Sequence, residues 1–255
     1  MSVLNSETVA PGIMRVAINR PEKRNVLSPD IRDALIDKLS GALSDNAVEG
    51  IVLGSTDGNF CAGGDIDTMI EMDIRSGRAR MKENHRLVRL LAEAEKPIVA
   101  GVEGFAVGAG AGLVLLCDSI ILAQSGTIGF PFFRVGLTPD YGILFTLSRK
   151  VGHSRARQIL LYAEMVKSQE AKEIGLADEL VPDGEAEKQA IEKVRRLIDM
   201  PPHAFALTKR HLSMAPQSLE AALELENMSQ SIAFIGPELE EGRSAFLDKR
   251  KPAFR

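Results

Sequence analysis

The sequence predicts an α/β chain: a mainly parallel sheet covered by helices, followed by a helical C-terminal third. Three observations lead there. Short apolar runs at Met14–Ile18, Ile51–Gly54, Ile98–Val102 and Ser119–Ala123 read as strands. Helical periods lie between them, the alternation expected of strand–helix–strand units with parallel strands. After about Gly152 strand signals become sparse and helical ones follow one another.

Taken in order, the first helix starts at Ser28-Pro29-Asp30, with Ser as N-cap and Pro in the first turn. Ile31, Leu35, Leu39 and Leu43 then recur every four residues and form one apolar stripe. A second stripe, Leu87, Leu90, Leu91 and Ala94, marks a helix ending before Lys96-Pro97. Helices are predicted at Ser154–Ala163, Ser168–Gly175, Glu185–Ile198, His203–Met214, Leu219–Ile235 and Pro237–Phe246. No internal repeat, low-complexity stretch or long linker interrupts them.

The chain's 255 residues suffice for one large domain or a domain with a helical appendage. Hydrophobic content of 45% and charged content of 26% match a packed globular core rather than disorder. A net charge of −4 argues against nucleic acid as the main partner. Two cysteines, Cys61 and Cys117, are too few for a disulfide framework at this size and suit a reducing compartment. Met1–Pro11 has no basic segment followed by an apolar one, and no apolar run approaches the length of a membrane span. A cytoplasmic protein without membrane attachment is the expectation. No His/Cys/Asp constellation has metal-ligand spacing, so no metal is expected.

Two glycine-rich loops each follow a predicted strand. One runs from Asp57 through Cys61-Ala62-Gly63-Gly64-Asp65-Ile66, the other from Gly104 through Val107-Gly108-Ala109-Gly110-Ala111-Gly112-Leu113. Glycine lets a ligand approach the main chain closely, and a helix N-terminus offers unpaired N–H donors, so such loops suit an oxyanion. Tight packing against the sheet explains the small residues equally well. A dinucleotide fingerprint is disfavoured because Leu113 stands where Gly108-Ala109-Gly110 requires a third glycine.

Several ordered segments carry a resemblance: Asn19–Leu27, Phe60–Ile66, Lys96–Leu113, Cys117-Asp118, Gly129-Phe130-Pro131, Val135–Gly142, Ala171–Ala177 and Ser244–Lys251. Over nearly its full length the chain resembles the crotonase (enoyl-CoA hydratase/isomerase) superfamily. The resemblance implies a crotonase (ClpP-like) spiral of ββα turns over residues 1–195. Residues 196–255 would form a helical C-terminal region that drives assembly into a homotrimer or homohexamer. It also implies acyl-coenzyme A thioester substrates, with no permanently bound cofactor. By position, the two oxyanion-hole N–H groups fall on Gly64 and Ala109. Coenzyme A contacts fall on Lys23, Arg24, Val26, Ala62, Asp65 and Ile66, and on Phe246 and Lys249, the last two reaching a neighbouring subunit. Taken alone, Lys249-Arg250-Lys251 reads as a solvated tail and Asp65 as a cap for the following turn.

The family's hydratases carry two catalytic glutamates, and the matching positions here are Gly112 and Phe132. Hydration needs a base for water and an acid at the α-carbon, which neither residue supplies. Asp140, in Gly136-Leu137-Thr138-Pro139-Asp140-Tyr141-Gly142, resembles the acid/base of the ring-1,2-epoxyphenylacetyl-CoA isomerase branch. Read without the family, Asp140 is a helix N-cap after Pro139. Phe130, Phe132, Phe133 and Leu137 are expected to make an apolar pocket that raises its pKa. The expected activity is thus an enoyl-CoA isomerase using Asp140 as base. Other crotonase reactions with a different base, and a non-catalytic acyl-CoA binder, remain open. Dehalogenation is disfavoured because the chain has no Trp. Tyr141 is a possible hydrogen-bond donor to substrate and Glu103 a lesser acid/base candidate; for Glu103 a structural hydrogen bond is preferred. His85 reads as a surface or packing residue and Cys61 as a small buried hydrophobe.

Overall fold

A computed structural model describes residues 2–254. The chain opens with a hairpin, β1 (Leu4–Ala10) and β2 (Ile13–Ile18), and then alternates: α1 (Pro29–Ser44), β3 (Gly50–Ser55), α2 (Ile74–Ala92), β4 (Ile98–Val102), β5 (Phe105–Val107), α3 (Ala109–Leu115), β6 (Ser119–Ala123), β7 (Thr127–Gly129). There follow α4 (Ile143–Val151), α5 (His153–Leu161), β8 (Met165–Lys167), α6 (Ser168–Glu173), β9 (Glu179–Val181), α7 (Ala186–Ile198), α8 (Pro202–Met214), α9 (Leu219–Ala233) and α10 (Pro237–Asp248).

The larger sheet has the order β1-β2-β3-β4-β6-β9; β1 pairs antiparallel to β2 and every later pair is parallel. The smaller sheet has the order β5-β7-β8. Two isolated bridges, Cys61 with Ala106 and Leu27 with Gly64, extend that second layer toward the N-terminal turns. Each turn of chain therefore lays one strand in the large sheet and one segment in the small one. This is the ββα spiral that the resemblance implies.

Burial follows the two-residue period of the strands. Ile51 and Leu53, Ile98 and Ala100, and Ile120 and Leu122 face the main core between the sheet, α1, α2 and α3. Val52, Val99 and Ile121 face the other way, where Ala186, Ala190 and Val194 of α7 cover them. With both faces buried, the strands read as continuous apolar runs, which is why they are legible in sequence. The stripe Ile31, Leu35 and Leu39 is fully buried, with Leu43 packed at its edge. Leu87 and Leu91 do the same for α2.

The differences from expectation are local. Ser28 precedes α1 in extended conformation, but its hydroxyl does not cap the helix: it donates to Asp30 and accepts from Arg20 Nη1 at 2.9 Å. β1 is absent from the sequence reading because Leu4-Asn5-Ser6-Glu7-Thr8-Val9-Ala10 is an edge strand, largely polar and with Leu4 its one buried residue. β5, β7, β8 and β9 span three residues each, too few to display a period. None of the described helices is long and apolar enough to cross a membrane.

Candidate active site

The first glycine-rich loop is pinned on both sides by main chain. Ala62 N–H donates to the Arg24 carbonyl at 3.1 Å, and Leu27 N–H donates to the Gly63 carbonyl at 2.7 Å. On its other side Cys61 N–H donates to the Phe105 carbonyl, and Val107 N–H donates to that of Cys61. Asn25, fully buried, clips the loop base by donating to the carbonyls of Thr56 and Asn59 at 3.0 and 2.8 Å. Because Leu27 bonds to the carbonyl of Gly63 and the N–H of Asp65, alternation turns the Gly64 N–H to the opposite side.

The second loop leaves β5 and enters α3 through Gly108, whose φ of 54° and ψ of −116° belong to glycine alone. That bend makes Ala109 the first helical residue, a position whose N–H has no acceptor within the helix. No hydrogen bond from Gly64 N–H or Ala109 N–H is formed among the described residues. Both residues line one cavity of 290 Å³.

Asp140 lines the same cavity. Its Oδ1 is buried and has no hydrogen-bond partner. Desolvation by burial pushes its pKa up to about 6, opposed by its own backbone N–H and by the charge of Arg80. The alternative N-cap role is not what forms: Gly142 caps α4, with no side-chain capping bond, and only the Asp140 carbonyl meets the helix, accepting from Ile143 N–H at 3.1 Å. Tyr141, beside it, is 3% exposed yet sits at φ 50°, a left-handed conformation that a bulky residue holds only under constraint. Burial raises the pKa of its phenol.

The two positions where glutamates are absent are filled. A Cβ on Gly112 would collide with the Cβ of Tyr141, so the body of Tyr141 occupies the space a side chain there would need. Phe132 is 8% exposed, its ring edge 3.9 Å from where a Cβ on Gly108 would stand, so it walls the second loop. The site thus joins two free main-chain donors and a carboxylate with one unpartnered oxygen in a largely apolar chamber that Arg80, Asn84 and Arg134 also line.

Residues 8–255 match the family model for enoyl-CoA hydratase/isomerase. The chain belongs to the enoyl-CoA hydratase/isomerase family. It is 32% identical to the crotonyl-CoA hydratase of Syntrophomonas wolfei over 239 residues, covering 93% of this chain and 92% of that one. Identity is also 32% to the 1,2-epoxyphenylacetyl-CoA isomerase of Escherichia coli K12, over 253 residues and 96% of each chain. The crystal structure of an enoyl-CoA hydratase from Bacillus anthracis superposes with a TM-score of 0.92 at 26% identity, over 100% of both chains. As a member of this crotonase family, the chain is an acyl-CoA enzyme needing no permanent cofactor.

Within that family frame, the structure gathers Gly64, Ala109, Asp140, Ala62 and Ile66 around one cavity. Lys23, Arg24, Val26, Asp65, Phe246 and Lys249 do not line it. Lys23 and Arg24 are exposed on the loop that Ala62 and Leu27 hold against the first glycine-rich segment. The Asp65 carboxylate accepts from Asp67 N–H at 3.2 Å and caps a short 3-10 turn, Ile66–Thr68. Phe246 is 82% exposed, and Lys249 ends α10 in left-handed conformation.

The expected apolar pocket needs correction: Phe132 and Leu137 line the cavity, but Phe130 is buried in the core and Phe133 points outward, 46% exposed. Along the 3-10 turn Phe132–Val135, neighbouring side chains diverge, so only one of the pair can face inward. Glu103 is structural, accepting from Gly184 and Ala186 N–H at 3.0 Å and holding the start of α7. Cys61 is fully buried, its thiol pushed up to about 11 by desolvation. His85 is exposed. Sequence reasoning missed Arg80 and Asn84, which line the cavity from α2. Their spacing of four, continuing into Leu87 and Leu91, places them on the helix's inward face.

Proposed function

We propose that the chain is an enoyl-CoA isomerase, nearest in chemistry to the ring-1,2-epoxyphenylacetyl-CoA isomerase branch, with Asp140 as its acid/base. One observation carries this reading: a desolvated carboxylate with one buried, unpartnered oxygen shares a cavity with the two free N–H groups of Gly64 and Ala109. The thioester oxygen sits between those donors, which stabilise the enolate oxygen as charge develops. Asp140 takes the α-proton of a 3-enoyl thioester, the electron pair moves onto the carbonyl oxygen, and the enolate reforms as a 2-enoyl thioester. The same proton returns at the γ-carbon, so no atom is gained or lost. Phe132 and Tyr141 fill the places where hydratase glutamates would hold water.

Lys23, Arg24, Val26, Ala62, Asp65 and Ile66 are assigned to coenzyme A. Phe246 and Lys249 are assigned to the coenzyme A of a neighbouring subunit in a trimer or hexamer. Their exposure suits that reach. A cytoplasmic location accords with free cysteines at Cys61 and Cys117.

Incubating the protein with 3-enoyl-CoA and following conversion to 2-enoyl-CoA tests the reading. Asp140→Asn should lower turnover by about 10²–10⁴-fold, the usual worth of a positioned proton-transfer group. Full turnover in that variant removes Asp140 from the mechanism. The hydratase reading, which the S. wolfei relative favours, predicts instead a 3-hydroxyacyl-CoA product from 2-enoyl-CoA.

A further inference from the structure

Arg80 stands one helical turn before Asn84 on the inward face of α2, and both line the cavity that holds Asp140. Around them the wall is largely apolar, built from Leu27, Met69, Val107, Phe132 and Leu137; the other cation on the lining, Arg134, donates Nη2 to the Ala163 carbonyl at 3.0 Å. The Arg80 side chain makes one hydrogen bond among the described residues, from Nη1 to Thr68 Oγ1 at 3.0 Å. Its charge acts on Asp140, but no hydrogen bond or ion pair joins the two among the described residues. A guanidinium carries five N–H donors, so most of Arg80's are unused within the protein.

Asn84 is 5% exposed. Its Oδ1 accepts from Arg32 Nη1 at 3.2 Å, which turns its amide nitrogen away, where its only partner among the described residues is Met81 Sδ at 4.0 Å. Arg32, 7% exposed, stands behind it and is paired with Asp33 at 2.8 Å, so the charge on this wall of the cavity is that of Arg80. In a chain of net charge −4, this wall concentrates cationic and donor groups facing a single carboxylate. Arg80 is half-buried at the cavity wall with most of its donors uncommitted to protein, and a planar guanidinium matches a carboxylate in bidentate fashion.

We propose that this wall is a subsite for the end of the acyl group: the acyl chain carries a terminal carboxylate that Arg80 receives, with the Asn84 amide as second donor. The subsite rests on the acyl-CoA reading of the cavity, not on the choice of isomerase. The chamber between Arg80 and Asp140 then holds the acyl chain, with the thioester at Gly64 and Ala109.

Calorimetric binding of succinyl-, glutaryl- and adipyl-CoA against butanoyl-, pentanoyl- and hexanoyl-CoA tests it, since these saturated thioesters report binding without turnover. At the chain length that fits, the carboxylate-ended thioester should bind about tenfold or more tightly than its methyl-ended partner. Arg80→Met should abolish most of that preference, and Arg80→Lys should keep part of it. Equal affinities at every length, or a preference that Arg80→Met leaves intact, overturn the subsite. So does 6-hydroxyhexanoyl-CoA binding as tightly as adipyl-CoA, because charge would then be irrelevant. Failure to bind any of these thioesters overturns the subsite together with the acyl-CoA reading beneath it. Failure of isomerase turnover alone leaves the binding result standing.

Discussion

As the proposed base, Asp140 has to be ionised to accept a proton, and its surroundings oppose ionisation. With its pKa pushed up to about 6 by burial, it is a stronger base than an exposed aspartate and still mostly ionised at neutral pH. Isomerase kcat/KM should therefore be level above that value and fall about tenfold per pH unit below it. A pH profile flat down to pH 4.5 would exclude Asp140 as the base. The same burial has a cost in stability. Below pH 3.8 the carboxyl is neutral in both folded and unfolded chains. As pH rises toward 6 the unfolded chain ionises first, so the native state loses stability relative to it. Above pH 6 the loss is complete, about 3 kcal/mol for this displacement. Asp140→Asn should accordingly raise the urea midpoint at pH 7.5 and leave it nearly unchanged at pH 3.5. A variant that is less stable at pH 7.5 would mean that the carboxylate holds a favourable partner.

At the scale of elements, the turn from β5 into α3 and the segment before α4 form one fitted unit. Gly108 makes the bend, Ala109 begins the helix, and Gly112 on its next turn accommodates Tyr141. Introducing the hydratase carboxylate by Gly112→Glu should not create hydratase activity, because the side chain has to displace Tyr141. Overpacking of this kind costs about 1–3 kcal/mol, so Gly112→Ala should lower the denaturation midpoint as well. Formation of 3-hydroxyacyl-CoA by Gly112→Glu, with unaltered stability, would show that Tyr141 yields freely. The helix α2 also lines the cavity, and its inward face is apolar core at Leu87 and Leu91 and cavity wall at Arg80 and Asn84.

For the molecule as a whole, the C-terminal helices need an anchor and a cover. Lys209 of α8, its side chain 10% exposed, donates to Asp118 Oδ2 at 2.8 Å and to the Lys96 carbonyl at 3.1 Å. Asp118 Oδ2 also accepts from Ile98 N–H at the start of β4, so one carboxylate ties a helix to the sheet. Lys209→Met should destabilise the chain by about 1–3 kcal/mol, since a largely buried carboxylate loses its cation. An unchanged urea midpoint would deny the anchor any energetic role. Leu212, Leu219, Met228, Ile232, Phe234 and Ile235 remain exposed along α8, α9 and the turn that follows. Apolar surface of that extent is expected to be covered by further copies of the chain. Sedimentation should give a trimer or hexamer, and a monomer at micromolar concentration would remove the proposed intersubunit role of Phe246 and Lys249.

Sequence alone determined the parallel sheet, because strands buried on both faces appear as unbroken apolar runs such as Ile98–Val102. It proposed Gly64, Ala109 and Asp140 as site residues through ordered motifs, and it singled out Gly112 and Phe132 as the positions matching the hydratase glutamates. Tertiary structure decided what stands beside them. It denied Asp140 a capping role, turned Phe133 outward, and put Tyr141 in the space above Gly112. It also brought Arg80 and Asn84 of α2 to face Asp140 across one chamber. The physical reason is that periodicity records how much of a residue is buried but not against what. Main-chain donors are set by local backbone geometry, whereas desolvation and charge at a site depend on segments that meet only when the spiral closes.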